Sequence, residues 1–337
     1  MKVIKTVVFR DILRDSEELT KASDIIKSGG TVVFPTETVY GLGADANNGE
    51  AVNKIFVAKE RPADNPLIVH IAEISDLGLA AADIPDAAFF LFEKFSPGPL
   101  TMILKKNNRI SDLTTAGLST VAVRIPSHNV ARALIKACGV PLAAPSSNRS
   151  GRPSPTTFDT AFSEMNGRVN AVINGGDCEI GLESTVLLID GKTIRIVRPG
   201  AVTEEMIKRS LEDLRGFSVA AYHKKERKPV SPGMKYLHYK PRAEVYLSAD
   251  TDIEKIRSIF PEKKIGIILF GEEEMVKKGR NIFRFRTLAD YARGLYRSFN
   301  ELDKLGCDII IAQPVEQTGL GKAIMNRLLM ASGGKII

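Results

Sequence analysis

Apolar positions in this chain fall into two patterns, β-branched runs of four to six residues and stretches with helical spacing, and the patterns interleave along the chain. Thr31-Val32-Val33-Phe34 is a β-branched run closed by Pro35, which cannot donate to a sheet ladder. Val52, Ile55 and Phe56 then mark the face of a helix with a polar end, Lys59-Glu60-Arg61-Pro62. Pro62 predicts the stop there, because it biases Arg61 out of the helical region. Residues 67–70, Leu-Ile-Val-His, are a second strand. Upstream, Asp15 and Glu18 make a capping-box-like start for a helix with Leu19, Ala22, Ile25 and Ile26 on one face, ending at Gly29-Gly30.

Downstream, the spacing predicts a Phe-rich helix over 84–95, stopped by Ser96-Pro97-Gly98-Pro99, then strands over 100–104 and 120–125. A helix over 130–138 and a short strand over 140–144 follow, opening into 145–155, which holds too many breakers for regular structure. The pattern continues with a helix over 158–165, an extended 169–173, a hairpin of 185–189 and 193–197 around Asp190-Gly191, and a helix over 203–214. Short strands and helices without regular βαβ alternation predict an α+β fold with a mixed, twisted sheet. From 215 to 242 the composition turns basic and polar, which reads as a linker. Beyond it, apolar strands at 265–270 and 308–312, a helix over 288–305 and a last helix over 323–330 predict a small α/β domain. The expected divisions are 1–214, 215–242 and 243–337.

Composition narrows the picture. A length of 337 residues suits two domains, and 44% hydrophobic with 26% charged residues is globular rather than disordered. The net charge of +7 suggests a polyanionic partner. Nearly all of it lies in 222–242, where Lys224, Lys225, Arg227, Lys228, Lys235, Lys240 and Arg242 face only Glu226. Cys138, Cys178 and Cys307 have no metal-type spacing and read as reduced thiols of a cytoplasmic protein. No apolar run reaches membrane-spanning length and no signal-peptide core follows Met1, so no membrane role is expected and the Asn148-Arg149-Ser150 sequon carries no weight.

Several chemistries are excluded by what is missing. There is no Walker A sequence, HExxH or GxSxG, and Gly319-Leu320-Gly321 lacks the third glycine of a dinucleotide fingerprint. With four histidines, neither a metal cage nor a His-dependent triad is indicated, so no structural metal or redox cofactor is expected. What remains is hydroxyls and cations in loops: Lys59 and Arg61, Ser146-Ser147-Asn148, Arg124, Ser184 and Arg198-Pro199-Gly200. Each alone reads as a solvated helix end or a turn. Together they suit an anion, with Arg as forked donor, Lys as point charge and Ser or Asn as short donors. Glu37 and Glu183 could orient an ammonium, help hold magnesium, or merely cap.

A series of motifs sharpens this. Phe34-Pro35-Thr36-Glu37-Thr38-Val39-Tyr40-Gly41-Leu42, Lys59-x-Arg61-Pro62, Asn65-Pro66-Leu67, Pro97-Gly98-Pro99-Leu100-Thr101, Val123-Arg124-Ile125-Pro126 and Ala144-Pro145-Ser146-x-Asn148 resemble the YrdC family. Ser231-Pro232-Gly233-Met234-Lys235-Tyr236-x-His238-Tyr239-x-Pro241 and the C-terminal part resemble its long, two-domain branch. The resemblance implies an open twisted sheet with a positive concave face and a small Rossmann-like second domain. It implies synthesis of threonylcarbamoyl-AMP from L-threonine, bicarbonate or carbon dioxide, and ATP, with release of pyrophosphate and with Mg2+ on the phosphates. It implies a downstream tRNA threonylcarbamoyl transferase complex, acting on an adenosine beside the anticodon, and leaves direct binding of tRNA or double-stranded RNA open.

Carried over by position, the resemblance assigns L-threonine to Thr38, His70, Arg124, Ser184 and the backbone of Ala144. It assigns ATP to Arg61, Asn65, Thr120, Ser146, Asn148, Ser154, Arg198 and, in the linker, Tyr236 and His238. Lys59 and Arg61 are the expected catalytic pair at the transferring phosphate, and His70 also reads as a satisfied histidine at a strand end. Because a carbamate decomposes in water, a lid is expected, and the linker around Gly233 suits one. Two other readings compete: a non-catalytic RNA-binding module, and a component of a hydrogenase-maturation carbamoyltransferase. The first lacks an aromatic stacking series and any tryptophan, the second any CxxC pair.

Overall fold

The computed structural model describes residues 4–213, 216–220, 239–250, 252–271 and 279–337. The first part runs β1 (Val7–Phe9), α1 (Ser16–Lys27), β2 (Val32–Phe34), β3 (Gly41–Asp45), α2 (Gly49–Lys59), β4 (Ile68–His70) and β5 (Ala81–Ala82). It continues with α3 (Asp86–Phe95), β6 (Leu100–Lys106), α4 (Asp112–Thr115), β7 (Thr120–Arg124), α5 (Asn129–Cys138) and β8 (Leu142–Ala143). It closes with α6 (Phe158–Met165), β9 (Ala171–Ile173), β10 (Thr185–Asp190), β11 (Thr193–Arg198), α7 (Glu204–Ser210) and β12 (Ser218–Ala220). The second part holds β13 (Glu244–Leu247), α8 (Ile253–Ile259), β14 (Ile265–Phe270), β15 (Ile282–Phe285), α9 (Leu288–Lys304), β16 (Ile309–Ala312) and α10 (Leu320–Ser332).

The large sheet is mixed, in the order β1-β9-β2-β3-β8-β4-β7-β6-β10-β11-β12, with β5 on β6. β2 and β3 are antiparallel, β4 and β7 parallel, and β6 and β7 antiparallel, as the α+β reading expects. Side chains alternate across each strand. Val69, Leu100, Met102, Leu104, Val121, Val123 and Leu187 point to the face covered by the main core, where Val52, Ile55, Phe56, Leu91 and Phe92 also pack. On the other face, α1 and α5 cover only one end, packing Ile26, Val130, Leu134 and Ile135 on Val32, Phe34 and Ile173. Past β8 that face is left as a cleft with an apolar floor of Ile68, Ile103, Ala122, Val186 and Val197. The second sheet is all parallel, ordered β13-β16-β14-β15, and is covered by α9 and α10 through Leu295, Phe299, Ile324 and Leu328.

Three expectations change. Helix α2 ends not through Pro62 but at Glu60, which takes the left-handed conformation (φ 53°) and caps onto Phe56 and Val57. Proline cannot stop a helix that has already been closed two residues earlier by a C-cap. Asp15 caps α1, but Glu18 reaches back to the amides of Arg10 and Asp11 rather than to the cap, so the box is not reciprocal. Ser218–Ala220, placed by composition in the linker, pairs in parallel with β11 and belongs to the large sheet.

The second part sits against the first. Val39 and Leu182 join the core formed by Tyr291, Ala292, Leu295 and Tyr296. Gly181, at φ +78°, lies so close to α9 that a Cβ would stand 2.5 Å from the Arg293 Cα, so only glycine fits both the conformation and the contact. The Arg293 Nε donates to the Glu179 carbonyl at 2.7 Å.

Candidate functional site

The cleft is lined by Thr36, Thr38, Val39, Gly41, Arg61, Ile68, His70, Arg124, Ala144, Pro145, Ser146, Glu183, Ser184, Arg198 and Tyr239. Sheet register gathers them: His70 on β4 stands opposite Arg124 on β7, which stands opposite Thr101 on β6, all on the cleft face. The 34–40 turn between β2 and β3 brings Thr36, Glu37 and Thr38 over the same face. The loops after β8, before β10 and after β11 bring Ser146, Ser184 and Arg198.

Arg124 is 4% exposed and half engaged. Its Nη2 donates to Glu37 Oε1 at 2.7 Å and its Nε reaches the Gly98 carbonyl at 3.4 Å. Glu37 Oε2 accepts from the Ser127 amide at 3.1 Å. No bond to Arg124 Nη1 occurs among the described residues, so donors remain for a planar anion in the cleft. The Thr36 hydroxyl donates to the Val39 carbonyl at 2.6 Å, so in its 2.9 Å contact with Thr38 the Thr38 hydroxyl is the donor. The lone pairs of Thr38 thus stay available to an ammonium group.

On the opposite wall the Ser184 hydroxyl lies 2.7 Å from that of Thr101 and accepts from Arg198 Nη2 at 3.1 Å. Arg198 also donates through Nε to the Ser184 carbonyl at 3.1 Å. Beside them Glu183 is fully engaged: Ser154 donates to Oε1 at 2.6 Å, and Tyr296 and Arg327 donate to Oε2 at 2.9 and 3.1 Å. Burial alone would raise this carboxyl, but Arg327, then Arg198 and the Ser154 hydroxyl, hold it below the ordinary carboxylate range. Tyr239, in the left-handed region at φ 68°, lines the cleft and stacks on Tyr296 with ring centroids 5.4 Å apart. A non-glycine residue in that conformation costs about 1 kcal/mol, which this packing must offset.

Lys59 is buried and does not line the cleft; its Nζ donates to the carbonyls of Ser146 and Asn148. Burial and then the charge of Arg61 press its pKa well below that of an ordinary lysine. Ser146 donates to Asn148 Oδ1 at 2.6 Å, and Asn148 Nδ2 holds the carbonyls of Arg149 and Arg152 at 2.8 Å each. Lys59, Asn148 and Ser154 therefore brace the loop that presents Ser146. Arg61 reaches the Asn65 and Pro66 carbonyls at 3.4 and 3.3 Å. The Asn65 side chain is 1% exposed and neither amide atom has a partner among the described residues. Such an orphan costs roughly 1–3 kcal/mol and marks a place for a ligand.

Of the expected threonine residues, Thr38, His70, Arg124, Ala144 and Ser184 all meet in the cleft, and of the ATP residues Arg61, Ser146 and Arg198 do. Thr120 does not: it opens β7 on the cleft face, roughly 13 Å from Arg124 along the strand, past the apolar floor. Tyr236, His238 and the expected lid lie outside the described residues. Glu37 and Glu183 are committed to cations and are not ready metal ligands. No group of three His, Cys, Asp or Glu suited to a metal occurs among the described residues, and none of their helices is long and apolar enough to cross a membrane. Gly319-Leu320-Gly321 starts α10, with Lys322 paired to Glu204 at 2.7 Å, which is a structural role.

His70 is buried, with Nδ1 unpartnered, and burial followed by the Arg124 charge pushes its pKa down to about 3. It is therefore neutral at physiological pH, and not a fully satisfied strand-end histidine. Its folded pKa lies below the unfolded value of about 6.5, so the stability it contributes is full above pH 6.5 and is lost as pH falls toward 3. Between pH 7 and pH 5 the protein is expected to lose about 2 kcal/mol through this group. Denaturant melts of wild type and His70→Gln at both pH values check this. Equal losses in the two proteins would assign the acid sensitivity elsewhere.

Sequence reasoning missed Tyr239, Tyr296 and Arg327. Arg327 had a signal, since it stands on the same helical face as Ile324, Leu328 and Ala331. A charge on an apolar face needs a buried partner.

Known proteins match along nearly the whole chain. A family model for Sua5, YciO and YrdC, described as telomere recombination, matches residues 24–200. A second, described as the C-terminal domain of threonylcarbamoyl-AMP synthase, matches 202–333. A threonylcarbamoyl-AMP synthase of Pyrococcus abyssi is 42% identical, with 94% of each chain covered. One of Bacillus subtilis is 40% identical over 97% of this chain and 96% of its own. The crystal structure of P. abyssi Sua5 complexed with L-threonine aligns with a TM-score of 0.89 and 39% identity over 98% of both chains.

Proposed function

The chain belongs to the Sua5–YciO–YrdC family and is an enzyme of the threonylcarbamoyl-AMP synthase kind; we propose that its cleft joins L-threonine, carbon dioxide from bicarbonate, and ATP. The products are L-threonylcarbamoyladenylate and pyrophosphate. The adenylate would then supply an adenosine next to the anticodon of tRNA, through a separate transferase complex.

The observation that carries this reading is the half-engaged Arg124 guanidinium beside the Thr38 hydroxyl and the neutral His70, facing Arg61, Ser146 and Arg198 across one cleft. The forked donors of Arg124 suit the α-carboxylate of an amino acid, and the lone pairs of Thr38 suit its ammonium. The deprotonated amine adds to carbon dioxide and releases a proton, giving an N-carboxylate. One oxygen of that carboxylate attacks the α-phosphorus of ATP, and the bond to the bridging oxygen breaks as pyrophosphate leaves. No covalent enzyme intermediate is needed. The protein's task is to hold mutually repelling anions in line and spread the developing charge.

Arg61, Arg124 and Arg198 outnumber Glu37 and Glu183, which supports a positive concave face. Arg61, Arg198 and Ser146 are the phosphate side, braced by Lys59, Asn148 and Ser154. The orphaned amide of Asn65 offers a donor and an acceptor to the nucleotide. The floor of Ile68, Ile103, Ala122, Val186 and Val197 gives a purine an apolar surface, with Thr120 at its far rim. Because both nearby carboxylates are already paired, the residues do not fit a magnesium ion held by the protein. Any such ion belongs to the ATP phosphates, as part of the substrate.

The test is pyrophosphate release from ATP with and without L-threonine and bicarbonate. Release is expected only with both. Threonine-independent release, or none in the presence of salt-sensitive RNA binding, would move the protein to the binding-module reading.

A further inference from the structure

The second domain reaches the Glu183 wall of the cleft through buried side chains, Arg327 and Tyr296. Arg327, on α10, is fully buried. Its Nε donates to Glu183 Oε2 at 3.1 Å, its Nη2 to the Glu183 carbonyl at 3.2 Å, and its Nη1 to the Pro199 carbonyl. Those partners sit in the segments that carry Ser184 and Arg198. The two segments touch backbone to backbone: a Cβ on Gly200 would stand 2.3 Å from the Thr185 nitrogen and 2.8 Å from the Glu183 carbonyl oxygen. Tyr296 from α9 adds a second donor to the same carboxylate.

We propose that Arg327 is a positioning residue for the phosphate side of the cleft, and that the second domain thereby sets the orientation of Arg198. This rests on the synthase reading above, and it says what the second domain contributes. Two guanidiniums compete for Glu183. That carboxylate is buried and ionised, and its neighbours include two guanidiniums, Arg327 and Arg198. While Arg327 occupies Oε2, Arg198 is left to Ser184, to which it donates through Nε and Nη2. Take Arg327 away and a buried carboxylate loses its strongest partner. Unpaired buried charge is costly, so the remaining cation is drawn to it and leaves the phosphates. The planar fork matters as well, because one guanidinium ties three acceptors on two segments, which an ammonium at the same point could not match.

The experiment uses the full chain with Arg327→Met, Glu183→Gln and the double variant. Binding of a non-hydrolysable ATP analogue and of L-threonine is measured calorimetrically, and pyrophosphate release is followed kinetically. Arg327→Met is expected to weaken the ATP analogue at least tenfold and L-threonine less than threefold. Adding Glu183→Gln to it should recover at least half of the lost nucleotide affinity on a logarithmic scale, because the competing charge is gone. A merely structural Arg327 would lower the melting temperature and give no such rescue. Folded Arg327→Met with wild-type nucleotide affinity overturns the proposal, as does a double variant no better than the single. Should Arg327→Met not fold, Arg327→Lys, which keeps the charge and loses the fork, replaces it. At least a threefold loss of nucleotide affinity is then expected, and none overturns the proposal. Failure of the synthase reading shows separately, as wild-type protein that releases no pyrophosphate while the binding ratios still report on Arg327.

Discussion

Arg124→Met is expected to raise the KM for L-threonine roughly a hundredfold and to destabilise the fold at the same time. The first effect follows from losing charged, forked donors to a carboxylate, worth about 3 kcal/mol. The second follows from Glu37, which is 2% exposed and among the described residues would keep only the Ser127 amide as a partner. Breaking a buried pair by removing one member costs about 3–5 kcal/mol, more than the pair contributes as a unit. The two effects separate in Glu37→Gln/Arg124→Met, which removes the stranded charge. That protein should regain most of the lost stability, read from denaturant melts, and none of the threonine dependence of pyrophosphate release. If it regains turnover as well, Arg124 serves the fold and the carboxylate is received elsewhere.

The same pair explains what could and could not be read along the chain. Strands and helices with clean periodicity, such as β6, β7, α5 and α9, were legible because each buries one face on a continuous core. β1, β3, β12, β13 and β15 were not. β3 reads Gly-Leu-Gly-Ala-Asp, with little β-branching, and is a strand only because β2 and β8 pair with it. The cleft residues around Arg124 were legible because they sit at strand ends whose motifs are local. Pairings between Glu37 and Arg124, and between Glu183 and Arg327, span 87 and 144 residues and leave no local trace. Lys59 shows the limit most clearly. Alone it reads as a solvated helix end and, through the family motif, as a phosphate contact, yet α2 turns it inward onto two loop carbonyls.

Lys59→Met is accordingly expected to act through that loop. Two donors to the carbonyls of Ser146 and Asn148 disappear, while the backbone tie from the Ser150 amide to the Lys59 carbonyl, at 2.8 Å, survives. Methionine fills a similar volume, so the protein should fold, at a cost of about 1–3 kcal/mol for each carbonyl left without a partner. The Ser146 wall, on the proposed phosphate side, then loses its fixed geometry. Losing one preorganised donor at a developing charge typically costs a hundredfold to a thousandfold, and kcat for threonine-dependent pyrophosphate release should fall by about that much. The KM for L-threonine should stay within threefold, since Arg124 and Thr38 are untouched. Arg61→Met provides the contrast: Arg61 lines the cleft itself, so its loss should raise the KM for ATP as well as lower kcat. A Lys59→Met protein that keeps wild-type kcat would show that the loop holds its shape without the lysine. A rise in the KM for ATP matching that of Arg61→Met would instead make Lys59 a direct phosphate ligand, turned out of its carbonyl cage when nucleotide binds.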